Sequence, residues 1–249
     1  MPETSIVIRT FNEALFLADL LEGIRNQTYQ DYEIIVVDSG SFDGTVEIAG
    51  RFGVELVEIA GRDFTFGFSL NRGIVASEGR FLVLVSAHTT PVDREWLGTL
   101  VEPLRDPDVA MTYGRQMGEA RSKFSERQDF LRTFGEERQV IQPPNFFANN
   151  ANSAVRRDLW EKQPFDEGLP GLEDAAWAKY WMDRGYQVVY EPRAGIHHIH
   201  TETWPQVDHR YFRAAVAAHA IGIRGPSDVS GEIARETWRF VADVGRALF

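Results

Sequence analysis

Five short β-rich runs separated by helix-patterned segments dominate the first half of the chain, at residues 5–9, 33–37, 54–59, 81–85 and 109–113. Between them, Leu17, Leu20, Leu21 and Ile24 fall at helical spacing in a segment that Asn12-Glu13 opens, and further helices are predicted over residues 45–52, 70–76 and 95–104. Short connections and regular alternation predict an α/β fold with a mostly parallel central sheet covered by helices on both faces. Ligands of such sheets bind outside the carboxyl ends of the strands. Those ends carry Thr10, Asn12, Asp38, Ser39, Ser86 and His88.

The second half changes character. Residues 122–139 are polar and read as a helix, which Gln142-Pro143-Pro144 breaks. Residues 145–152 are rich in Asn and Phe. A helix over 172–184 carries Trp177, Tyr180 and Trp181, and a strand over 187–190 precedes the stretch His197-His198-Ile199-His200. Two terminal helices are predicted at 207–223 and 231–248, the second with Ile233, Val241, Val244 and Leu248 near one face. That stripe packs on the main domain or joins two copies in a homodimer.

Composition removes several classes of function. A net charge of −11 argues against nucleic acid and polybasic membrane binding. With no cysteine there is no disulfide, thiolate metal site or cysteine nucleophile. No apolar run approaches the ~18 residues a membrane span needs, and the first residues lack a secretory pattern. The expected location is cytoplasmic, with peripheral contact at the inner face of a membrane as the alternative. Neither Gly-x-Gly-x-x-Gly nor Gly-Lys-Ser/Thr comes after the first strand, and Gly-x-Ser-x-Gly is absent, which weakens dehydrogenase, P-loop and hydrolase readings.

The first strand instead runs into Thr10-Phe11-Asn12-Glu13, and the second into Asp38-Ser39-Gly40-Ser41 with Asp43-Gly44-Thr45; Glu173-Asp174 comes later. On these motifs residues 4–200 resemble the family 2 glycosyltransferases, whose fold is the nucleotide-sugar-binding GT-A type. The resemblance implies a catalytic domain over 1–205, with a nucleotide-binding half (1–115) and an acceptor-binding half (116–205), and a helical extension over 206–249. It implies that Thr10, Asn12, Glu13 and Asp38, with Ser39, hold the base and ribose of a nucleoside-diphosphate sugar. A carboxylate at Asp38 can accept the imide N–H of uracil or the N–H groups of guanine. The plainer reading makes Asn12 and Asp43 helix caps; it is preferred for Asp43, and binding is preferred for Asp38, which closes a strand.

One motif departs from the pattern. The family usually has Asp-x-Asp after the fourth strand, holding the divalent ion that grips the diphosphate. This chain has Ser86-Ala87-His88. A hydroxyl and an imidazole serve Mg²⁺ poorly, whereas Mn²⁺ tolerates nitrogen. The family also often supplies a downstream His, so His88 with His198 or His200 is the expected metal set. Alternatively no metal binds, and Arg72, Arg115 or the imidazoles themselves neutralise the diphosphate. Residues 64–73 resemble a segment lying over the nucleotide. There Asn71 is a binding candidate, Gly67 and Gly73 permit close approach, and Phe64 and Phe68 are expected in the core.

Glu173-Asp174 opens the helix of Trp177. Family resemblance makes Asp174 the base that deprotonates an acceptor hydroxyl, with Glu173 beside it. The helix dipole is expected to favour its charged form and so lower its basicity. Asn150, Asn152 and Trp177 are the acceptor-contact candidates. Together these imply inverting transfer of a single sugar to a saccharide, lipid-linked glycan or small-molecule acceptor, since the Gln-x-x-Arg-Trp signature of processive synthases is missing. The competing readings are a sugar nucleotidyltransferase, which would need a Gly-rich basic phosphate loop, and a non-catalytic nucleotide- or glycan-binding relic.

Overall fold

The computed structural model describes residues 1–120, 122–224 and Trp238. The predicted helix over 231–248, and with it the dimerising stripe, lies outside the described residues. In chain order the elements are β1 (Thr4–Thr10), α1 (Leu17–Arg25), β2 (Tyr32–Asp38), α2 (Thr45–Phe52), β3 (Glu55–Glu58), α3 (Phe66–Val75), β4 (Phe81–Ser86) and β5 (Thr89–Pro91). There follow α4 (Trp96–Val101), β6 (Val109–Met117), α5 (Phe124–Thr133), β7 (Gln139–Ile141), β8 (Asn152–Arg156), α6 (Arg157–Trp160), α7 (Glu173–Met182), β9 (Gln187–His198) and α8 (Trp204–Ala220).

These strands form one mixed sheet in the order β3-β2-β1-β4-β8-β6-β9-β5, with β7 added to β9. The β3-β2-β1-β4 half is parallel. The mostly parallel expectation fails beyond it. β8 runs antiparallel to both β4 and β6, which separates the fourth and fifth strands read from the sequence. β6 and β9 are parallel, and β5 and β7 are antiparallel to β9. β8 escaped notice because Asn152-Ser153-Ala154-Val155-Arg156 carries no long apolar run.

Strand alternation assigns the two cores. Ile6, Ile8, Val36, Val83 and Val85 face α1, α2 and α4, where Leu17, Leu21, Trp96 and Leu100 meet them. Val7, Ile35, Val37, Leu82 and Leu84 face α3 and α7, against Leu70, Ile74, Trp177 and Trp181. Each such buried large side chain contributes about 1.5–3 kcal/mol. Arg9 shares a face with Val7, so the pleat delivers a guanidinium to the α7 side of the sheet.

The first helix starts later than expected, at Leu17, with Phe16 as its N-cap. Residues 12–15 form an irregular turn in which Asn12 has φ 57°, so Asn12 does not cap α1. Asp43 precedes the N-cap of α2, Gly44, and its carboxylate accepts from the Thr45 N–H and hydroxyl and from the Ala14 N–H. It therefore ties the two loops together as well as supporting the first turn of α2.

Candidate active site

The carboxyl ends of β1, β2 and β4 lie side by side: Thr10 is in register with Asp38, and Arg9 with Ser86. Asp38 is buried, and all its acceptor capacity is used within the protein. One oxygen accepts from Thr10 Oγ1 (2.8 Å) and Ser41 Oγ (2.5 Å), the other from the N–H groups of Gly40 (2.9 Å) and Ser41 (2.8 Å). Ser39 Oγ donates to the Thr10 carbonyl. Asn12 joins the same loop, its N–H donating to Ser41 Oγ and its side-chain oxygen accepting from Phe42 N–H. In this arrangement Thr10, Asp38 and Ser39 shape the loop. A nucleobase must compete with Ser41 and the loop amides to reach the Asp38 carboxylate. Above the loop, Phe11 and Phe42 meet edge to face and are exposed (54% and 85%). Sequence reasoning missed this pair. Two solvent-facing aromatics on consecutive strand-end loops are the signal, since the core normally claims such side chains.

A second cluster joins β1 to α7. Arg9, nearly buried, lies 3.6 Å from Glu173 and over the Phe66 ring at 4.8 Å. Arg9 was also missed. An arginine ending an apolar strand must find a carboxylate or face water, and that requirement was readable. Asp174 is buried beside Glu173. Its oxygens accept from Asn150 N–H (3.0 Å) and Ala175 N–H (2.7 Å). Burial first, then the charge of Glu173, push its carboxyl up to about 7, against the lowering by the two N–H bonds and Arg9. The expected lowering by the helix start is thus overturned: desolvation outweighs the dipole. A carboxyl poised near neutrality suits a general base.

Four expected ligand contacts turn out to hold the fold. Asn71 accepts from Trp160 Nε1 and Phe165 N–H and donates to the Phe165 carbonyl and Glu167, which clips α3 to the segment before α7. Asn152 accepts from Trp96 Nε1 and donates to the carbonyls of Arg115 and Ala194. Trp177 is buried, donates to the Gln163 carbonyl and packs on Phe165 and Trp181. Asn150 is buried and serves the carboxylates: its N–H reaches Asp174, its amide reaches Glu173, and Ser153 binds its oxygen. Asn71, Asn152 and Trp177 use every side-chain N–H inside the fold, whereas Asn150 keeps one N–H beyond its bond to Glu173. Gly67 and Gly73 make close approaches to the 166–167 backbone and to Val7 and Val37, not to an open site. Phe64 and Phe68 are half-buried rather than core, and Phe68 stacks under Arg72.

The third cluster is built by β5. Pairing of β5 with β9 sets Thr89 opposite His198, and the Ile199 N–H donates to the His88 carbonyl. His88 stacks on His198 with ring centroids 4.9 Å apart, and His200 lies 4.2 Å from His198 and 5.3 Å from His88. Each ring offers one nitrogen, and these lie within 4.8 Å of one another. His88 Nδ1 bonds Glu13 Oε1 at 2.8 Å, His198 Nδ1 bonds Gln116 Oε1 at 2.7 Å, and His200 Nδ1 bonds Glu126 Oε1. Burial, then the neighbouring His200 and His88, push His198 well below the usual histidine range, so it is neutral at pH 7. Its Nε2 is buried without a partner. Three imidazole nitrogens, one of them an orphaned buried acceptor, fit a borderline divalent ion and fit a hard oxygen-seeking one poorly. Ser86 ends β4 beside this cluster, and its carbonyl accepts from Thr89.

Similarity to known proteins agrees with this layout. Residues 5–163 match the model of glycosyl transferase family 2. The O-antigen chain rhamnosyltransferase RfbN of Salmonella typhimurium is 25% identical over 223 residues, 85% of this chain and 71% of that protein. Glycosyltransferase AglE of Haloferax volcanii is 31% identical over 207 residues, 76% of this chain and 64% of that protein. Among solved structures, the mannosyltransferase PcManGT of Pyrobaculum calidifontis, in complex with GDP-Man and Mn²⁺, superposes with a TM-score of 0.70 at 21% identity, over 90% of this chain and 65% of that one. The chain therefore spans less than two thirds of the archaeal relatives' lengths. A GT-A-type mixed sheet, a loop closed on Asp38 at its strand ends and a match over residues 5–163 lead to one conclusion: this chain belongs to glycosyl transferase family 2.

Proposed function

We propose that the chain transfers a single sugar from a nucleoside diphosphate to an acceptor hydroxyl with inversion, Asp174 serving as base. The observation that carries this reading is the buried Glu173-Asp174 pair at the start of α7, held by Asn150 and Arg9, with burial and Glu173 raising the Asp174 carboxyl. Arg9, bridging to Glu173, ties it to the strand-end edge that holds the Asp38 loop. Ionised Asp174 takes the proton of the attacking hydroxyl, and Asn150 N–H holds the oxygen that does so or its twin. Phe11 and Phe42 offer apolar faces for a base beside the Asp38 loop. PcManGT is a complex with GDP-Man and Mn²⁺, and in this chain a divalent ion at His88, His198 and His200 would offset charge on the departing diphosphate. Among the described residues no helix is long and apolar enough to cross a membrane.

Incubation with UDP-, GDP- and dTDP-sugars, with Mn²⁺ or with EDTA, tests the reading through release of nucleoside diphosphate. Release from one donor class above the protein-free rate is expected; none from any class counts against it. A companion prediction concerns the loop. Asp38→Ala removes four internal hydrogen bonds. Nucleoside diphosphate affinity is expected to fall by about 1.5–3 kcal/mol, with a lower melting temperature. Calorimetric titration of the folded variant that returns the parent's affinity removes Asp38 from the nucleotide site.

A further inference from the structure

The nitrogens left over in the histidine cluster point beyond the family's carboxylate pattern. A carboxylate or carbonyl oxygen only accepts, so each Nδ1 bonded to Glu13, Gln116 or Glu126 carries the proton. In the neutral ring that metal ligation requires, Nε2 is then the lone-pair nitrogen. Metal-ligating histidines are held in this way, with the second ring nitrogen donating to an oxygen that fixes tautomer and orientation. The three acceptors come from three separate elements: the loop after β1, the end of β6, and α5. We propose that His88, His198 and His200 form a standing three-imidazole site that takes a borderline divalent transition ion before any nucleotide binds, with Glu13, Gln116 and Glu126 as its positioning residues.

The geometry requires modest closure. Three nitrogens at about 2.0–2.1 Å from a tetrahedral ion lie about 3.4 Å apart. One nitrogen from each ring lies within 4.8 Å of the others here, so the rings close by at most about 1.4 Å on the ion. Phe130 stacks against both His198 and His200 (5.8 and 6.4 Å), which packs the apolar side of the cluster. With three protein ligands the ion keeps positions open, the arrangement of catalytic rather than structural sites. That the diphosphate fills them rests on the glycosyl-transfer reading; the site itself does not.

The test titrates Co²⁺ into the full chain without nucleotide and follows its visible absorption. Uptake of one ion, unchanged by a large excess of Mg²⁺, is expected. His88→Ala and His200→Ala should abolish the band, Glu126→Ala should weaken affinity about 10–100-fold, and Glu126→Gln, which keeps an acceptor oxygen, should recover part of it. X-ray absorption of the Zn²⁺-loaded parent needs no variant and should return three imidazole nitrogens at about 2.0–2.1 Å. Uptake only in the presence of UDP or GDP, displacement by Mg²⁺, an oxygen-only shell, or full affinity in folded His88→Ala and His200→Ala overturns the proposal. A protein that binds Co²⁺ as described yet releases no diphosphate from any donor leaves the site standing and removes the proposed function instead.

Discussion

Asp174→Asn is expected to keep the fold and the donor affinity and to lose about a hundredfold or more in turnover, the range for loss of a general base. The substitution is well tolerated for electrostatic reasons. It removes a buried charge next to Glu173, which offsets the loss of one acceptor, since an amide oxygen can serve Asn150 N–H or Ala175 N–H but not both. Turnover within a few-fold of the parent would reduce Asp174 to a residue of the helix start. The parent's pH profile gives an independent check. A base whose carboxyl sits at about 7 must lose its proton to act, so kcat/KM should rise with pH through about 7, and Asp174→Asn should flatten that limb.

Stability should run the other way. The folded carboxyl binds its proton more tightly than the unfolded one, whose ordinary value is 3.8. Between about 4 and 7 this group therefore holds more proton in the native state than in the unfolded one. Its contribution to stability falls as pH rises through that window and levels off above it, while buried His198, held neutral, contributes with the opposite sign. The difference between the denaturant midpoints of the parent and Asp174→Asn, measured across the window, isolates the Asp174 contribution and should change in the parent's disfavour as pH rises.

Asn152→Ala should be among the most destabilising single changes at the centre of the sheet. Its side chain links α4, β6 and β9 through Trp96, the Arg115 carbonyl and the Ala194 carbonyl, and it is fully buried. Truncation strands a buried indole N–H and two carbonyls at about 1–3 kcal/mol each where nothing relaxes, so a loss of about 3 kcal/mol or more is expected. For a chain of this size that lowers the melting temperature by roughly 6–12 °C. Acceptor KM measured on the variant while still folded should match the parent. A raised KM with normal stability would return Asn152 to the acceptor site. Gly114 belongs to the same junction: a Cβ there would stand 2.0 Å from the Ala194 carbonyl oxygen and 2.4 Å from Asn152 Nδ2.

The parallel half of the sheet was legible because period-two apolar runs and their helices are local signals; β1, β2, α2 and β4 lie within a residue or so of their expected bounds. The loops at Thr10 and Asp38 were legible with it, since strand ends in such a sheet have a known address. Spacing also placed His198 and His200 on one side of an extended segment, and they meet at 4.2 Å. What the amino-acid order could not supply was direction and company. β8 runs antiparallel between β4 and β6, a pairing of residues some 40–75 positions apart that no local pattern encodes. Asn71, Asn150, Asn152 and Trp177 read as ligand contacts because polar and aromatic groups near a site look alike in sequence. Only tertiary structure reveals whether a carbonyl, an indole or a carboxylate has already claimed them. The same holds for Asp174. Its place at a helix start was readable and argued for low basicity, but burial against Glu173 is a property of packing, and desolvation there outweighs the dipole.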